Sequence, residues 1–156
     1  MKYHHFGSGR YVLRLDPGEE VMASIVAFAE QRGMTAGWVS ALGSLDQAVL
    51  GFLDPKDQVY LKRTFDERME IGSLTANIGV TDDGKCFVHA HAVLSPRELL
   101  AYTGHVHEAR VGVVVEAMVT ALEGTLLRVV DPETGFARLL LPGEAGTPPA
   151  PGASGC

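Results

Sequence analysis

The sequence predicts an α+β fold with a mostly antiparallel sheet of about seven strands. Three observations carry this expectation. Short, apolar, glycine-bounded runs outnumber helical patterns, the two capped helical segments do not alternate with strands, and an Asp-Gly turn joins two apolar runs as in a hairpin. A chain of 156 residues suits one domain with a single core. That domain is expected over residues 1–141. Beyond Leu141 the sequence becomes "PGEAGTPPAPGASGC", with no large apolar side chain to offset the entropy of ordering, so 142–156 reads as a flexible tail.

The clearest local element is a helix over 17–32, "PGEEVMASIVAFAEQR". Asp16 is placed to cap it, Pro17 suits the first helical position, and Glu19 stands three residues after the cap as in a capping box. Val21, Ile25, Phe28 and Ala29 share one face at helical spacing, and Gly33 offers a left-handed stop. "GWVSALG" (37–43) and "QAVLGFLD" (47–54) read as separate strands, and "DPKD" (54–57) as a turn before "QVYLKRTF" (58–65). "EIGSLTANIGV" (70–80) leads through "TDDGK" into "CFVHAHAVL" (86–94), the hairpin. "SPREL" (95–99) has a Ser cap and Pro at the first position, which predicts a short helix. "ARVGVVVEAMVTAL" (109–122) has the β-branched bias of a central strand, and "TLLRVV" and "FARLLL" form a last hairpin across "DPETG". Arg14 and Glu70 are charged residues amid apolar ones, and an internal ion pair is expected for each.

A formal net charge of −6 argues against a surface built to cover phosphates. The best basic patch, Lys62, Arg63 and Arg68, is interleaved with Asp66 and Glu67 and reads as a solvated face. Cys86 lies inside an apolar strand and Cys156 is the last residue, so neither a disulfide nor a zinc knuckle is expected. "MKYHHFGSGR" lacks the pattern of a signal peptide, and no apolar run approaches the roughly eighteen residues of a membrane span. A cytoplasmic location is the expectation. No GxSxG, P-loop, GxGxxG or HExxH pattern is present, and Glu70, Glu108 and Glu116 are carboxylates that spacing does not bring to any site. Catalytic residues are therefore left unassigned.

Four of the six histidines fall between 89 and 107. In a strand His89 and His91 project from one face with Phe87 and Val93, while Cys86, Val88, Ala90, Ala92 and Leu94 take the other. Both faces are apolar, which predicts burial on both sides. Two adjacent imidazoles on one buried face repel if both are charged. A divalent metal removes the difficulty by using neutral imidazole as donor; ordinary hydrogen-bonded core histidines are the other reading. A third ligand must come from elsewhere. His105, after Gly104 and beyond the "SPREL" helix, is the candidate, with His107 as competitor. Three histidines and an open position suit zinc or another first-row divalent ion, able to activate water. His4 and His5 stand near a mobile N-terminus and are read as solvated.

The ordered motifs "LRLDPGEEV" (13–21), "VSALGSLDQAVLGFLD" (39–54), "ERMEIGSLTANIG" (67–79), "DGKCFVHAHAVLS" (83–95), "GHVHEARV" (104–111) and "VEAMVTALEG" (115–124) together resemble the PPC domain. This is the plants and prokaryotes conserved domain, also called DUF296, and the resemblance covers about residues 10–141. It implies an antiparallel sheet flanked by helices and assembly as a homotrimer. In prokaryotic members the HxH pair and the GH histidine recur as a cluster reported to hold a metal; here these are His89, His91 and His105. His107 falls where the family varies. In land plants the domain follows AT-hooks and acts in AT-rich DNA binding, with the segment matching "RMEIGS" (68–73) linked to partner contacts. No RGRP core appears here, and "GSGRYV" (7–12) lacks the proline and flanking basic residues of a minor-groove insert. The expectation is a stand-alone homotrimer with a three-histidine metal site, zinc foremost, that binds or processes a small ligand. The alternatives are a DNA-associated regulator and a pure assembly module.

Overall fold

Leu13 and Leu15 alternate with Val12 and Arg14, and this period-two pattern forms a strand whose leucines are fully buried. The computed structural model describes residues 1–54, 56–57, 59–131, 135–141 and 144. Along them run β1 (Lys2–His5), β2 (Arg10–Leu15), α1 (Val21–Gln31), β3 (Gly37–Asp54), β4 (Val59–Phe65) and β5 (Met69–Thr81). β6 (Cys86–Ser95), β7 (Tyr102–Ala121), β8 (Leu127–Val130) and β9 (Ala137–Leu140) follow. The described residues thus hold nine strands and one helix, where about seven strands and flanking helices were expected. Residues 142–156, expected as a tail, lie outside the described residues apart from Glu144.

The pairing closes on itself. β7 pairs with β3, β3 with β5, β5 with β6, and β6 with β7, all antiparallel. β2 and then β1 continue the sheet from β7, β4 pairs with β3, and β8 runs parallel to β5 with β9 beside it. Helix α1 buries Val21, Ile25, Phe28 and Ala29, the face read from spacing. These join Leu13, Leu15, Leu45, Leu74, Ile78, Leu94 and Val111 in one core, where each large side chain contributes about 1.5–3 kcal/mol.

Several local expectations change. Helix α1 begins at Val21, and Glu20 rather than Asp16 caps it, accepting from the Ala23 N–H at 2.5 Å. Its expected first turn is diverted to the sheet: Gly18 N–H donates to the Val111 carbonyl and Val111 N–H to the Glu19 carbonyl, both at 2.9 Å. The Glu19 half of the capping box forms, Oε2 accepting from the Asp16 N–H at 2.7 Å, but the backbone bonds to β7 keep a helix from starting there. The stop at Gly33 holds, with φ 61°. "SPREL" is a turn, closed by Leu99 N–H to the Pro96 carbonyl at 3.0 Å, with Leu99 itself at φ 60°, outside the helical region. "GWVSALG" and "QAVLGFLD" are one 18-residue strand. Gly43 makes this continuous: at φ 133° it forms a bulge, and a Cβ there would sit 2.1 Å from the Val114 carbonyl oxygen. His4 and His5 belong to β1 rather than a loose terminus, and His5 stacks on Tyr11 with ring centroids 4.4 Å apart. Arg14 and Glu70 are exposed, and Arg14 pairs with Asp16 at the surface instead of in the interior.

Candidate metal centre

Strand β6 places Ala90, Ala92 and Leu94 in the core and turns His89 and His91 outward, as alternation requires. The expected burial of both faces does not occur: among the described residues no helix covers the outward side, His91 is exposed and Val93 is 38% exposed. His105 is not beyond a helix but within β7, directly opposite His91 in the β6–β7 ladder. Gly104 permits that register, because a Cβ there would lie 2.8 Å from the Gly51 carbonyl oxygen of β3.

The rings of His89, His91 and His105 lie 5.1–5.6 Å apart by centroid. Each offers a nitrogen within 4.8 Å of the other two. Zinc–imidazole bonds of about 2.0–2.1 Å set tetrahedral nitrogens about 3.3 Å apart, so modest side-chain rotation brings this set to coordination. His107 flanks the group, 4.9 Å from His105 by ring centroid, with Tyr60 against both rings. His105 Nδ1 and His107 Nε2 are buried without a hydrogen-bond partner.

Electrostatics favour the neutral form of His89, His105 and His107. Burial, with Arg128 and then His91 adding, holds His89 down to about 4. Burial followed by His89, His107, His91 and Arg128 holds His105 down to about 4. Burial and then Lys62 lower His107. Neutral imidazole, which has one nitrogen lone pair to donate, is the form a metal requires, and His89 supplies it on giving up its Arg128 contact. The donor set therefore fits a three-histidine divalent ion.

Arg128, absent from the sequence reading, completes the surroundings. It is 5% exposed and reaches across β5 from β8. Its Nη1 donates to the Ala137 carbonyl at 2.9 Å, and its Nη2 to Asn77 Oδ1 at 2.8 Å. Nη2 also lies 3.1 Å from His89 Nδ1, and since a guanidinium only donates, neutral His89 carries its proton on Nε2 in this arrangement. Arg128 Nε is buried with no partner, and burial lowers the guanidinium pKa. A charged residue inside the apolar run "TLLRVV" was the available signal. Glu70 and Glu116 stand elsewhere: Glu70 lines a hollow of about 300 Å³ with Arg68 and Arg97, and Glu116 one of about 420 Å³ with Leu42 and Met118.

The model of the Plants and Prokaryotes Conserved (PCC) domain, the PPC domain named above, matches residues 4–123. The chain belongs to this family. Among similar solved structures, the metal-containing protein from Archaeoglobus fulgidus is 34% identical, with TM-score 0.79 over 90% of this chain and 100% of its own. A Bacteroides thetaiotaomicron protein, whose name proposes DNA binding, is 25% identical, with TM-score 0.84 over 88% of this chain and 95% of its own. A curated relative, the bifunctional protein GlmU of Synechococcus sp. (strain JA-3-3Ab), is 34% identical over 145 residues. The PPC chain matches it over 90% of its own length but spans 22% of that relative.

Proposed function

We propose that this PPC chain is a metal-binding homotrimer in which His89, His91 and His105 hold one divalent ion, zinc foremost, and present it to a small ligand. One observation carries the reading: three ligand nitrogens converge within 4.8 Å on the open face of β6 and β7. The low basicity of His89 and His105 and the metal in the Archaeoglobus fulgidus relative support it. Such an ion supplies Lewis acidity at its open coordination position. The chain's own part is to hold two rings neutral, to leave the His91 side open to solvent, and to set Arg128 beside His89. Trimer formation is supported by the outward apolar residues Trp38, Leu42 and Met118 on β3 and β7. The folded unit is taken as 1–141, with 142–156 appended.

Elemental analysis of protein purified without a His-tag or metal column tests this. About one metal per chain is expected in wild type, with loss in both His89→Ala and His105→Ala, because two imidazoles hold a divalent ion far more weakly than three. Metal-free wild type with chelator-insensitive stability would sink the proposal. A second reading, duplex DNA binding, draws support from the name of the Bacteroides thetaiotaomicron relative, against a net charge of −6. It predicts salt-dependent retention on duplex DNA, and no mobility shift at micromolar protein ends it.

A further inference from the structure

We propose that this site takes up its metal together with a small oxyanion, a carboxylate or a phosphate, whose charge Arg128 receives. The inference rests on the three-histidine metal reading.

Arg128 stands at the edge of the triad, beside His89. It is an almost fully buried cation, and among the described residues no carboxylate pairs with it. Its described partners are the Ala137 carbonyl, the Asn77 amide oxygen, His89 Nδ1 and, at 5.1 Å, the face of Phe87. All are neutral. Its Nε is enclosed without an acceptor. A buried charge without a counter-charge is strongly unfavourable, so a fold that keeps one beside a cluster of imidazoles has a use for it.

Metal binding sharpens the need. If His89 coordinates through Nδ1, it surrenders the lone pair that Arg128 Nη2 now uses. If it coordinates through Nε2, neutral His89 must carry its proton on Nδ1, and two donors then face each other across the present 3.1 Å contact. By either route Arg128 loses an acceptor at the moment a divalent cation arrives nearby. Three neutral imidazoles add no negative charge. An oxyanion answers both deficits: it accepts from Nη2 and offsets the charge of the metal and the guanidinium. The open side of the cluster, where His91 is exposed, gives it a way in. Metal and anion therefore bind cooperatively, each raising the affinity for the other by the same factor.

The test is a cobalt(II) absorbance titration of the full chain at matched ionic strength in chloride, in acetate and in inorganic phosphate, with free cobalt corrected for the anion's own affinity. At least one of the two oxyanions should tighten cobalt binding by roughly tenfold over chloride. An effect of phosphate alone identifies a phosphate-bearing ligand, and an effect of acetate a carboxylate. Arg128→Gln should bind cobalt with no oxyanion dependence, while Arg128→Lys, which keeps the charge, should retain part of it. Equal wild-type affinity in all three buffers overturns the inference and leaves the metal site standing. Full oxyanion dependence in Arg128→Gln overturns it as well. No cobalt uptake in any buffer removes both readings. Should Arg128→Gln fail to fold, the wild-type comparison and Arg128→Lys decide.

Discussion

Two imidazoles of the triad, His89 and His105, share the same low basicity. His89 and His105 are held at about 4 against an ordinary 6.5, so the unfolded chain binds more protons than the folded one between those values. Stability of the metal-free protein is thus complete above about pH 6.5 and falls as pH drops toward 4, the reverse of a histidine stabilised by a carboxylate. The urea midpoint is expected to fall between about pH 7 and pH 5, where most carboxylates stay ionised. A midpoint constant over that range would contradict the arrangement. The histidines were legible because HxH on a strand has only one geometry, with both rings on one face. Arg128 was not, because it lies 39 residues from His89 and meets it only through β8 pairing with β5.

At the scale of elements, legibility followed range. The β5–β6 hairpin, its Gly84 turn at φ 80°, and the buried stripe of α1 all stand as expected, since each depends on neighbours within the segment. The start of α1 was misread because its competitor is distant: β7 takes the backbone bonds of Gly18 and Glu19. Glu20 secures that junction twice, with Oε2 to the Ala23 N–H and Oε1 to the Ala109 N–H at 2.9 Å. Glu20→Ala should therefore cost about 1–2 kcal/mol in equilibrium unfolding, leaving a helix terminus and a strand amide unpartnered. The metal content should not change, because Glu20 is no part of the triad. β2 was overlooked although Tyr11, Leu13 and Leu15 alternate, since five or so residues of alternation compete poorly with the flanking Gly and Pro signals.

For the whole molecule, the outward face of the β3–β7 ladder leaves Trp38 51%, Leu42 57% and Met118 49% exposed. A homotrimer burying that face should run at three times the 16.7 kDa of one chain in light scattering, and Leu42→Arg should lower that mass. A wild-type mass of one chain would exclude the assembly. The ring of four paired strands bears on how the protein reaches its native state. Most of its ladders join distant segments, yet His89, His91 and His105 all lie in the single stretch that folds back from β6 to β7. Hairpins close in microseconds, well before long-range sheets assemble. A chain emerging during synthesis can thus gather all three imidazoles, with Asn77 already beside His89 in the β5–β6 hairpin, before Arg128 of β8 follows. With an ion bound as proposed, the denatured ensemble would keep some hold on it, and chelation would shift the folding equilibrium by less than the native affinity alone would give.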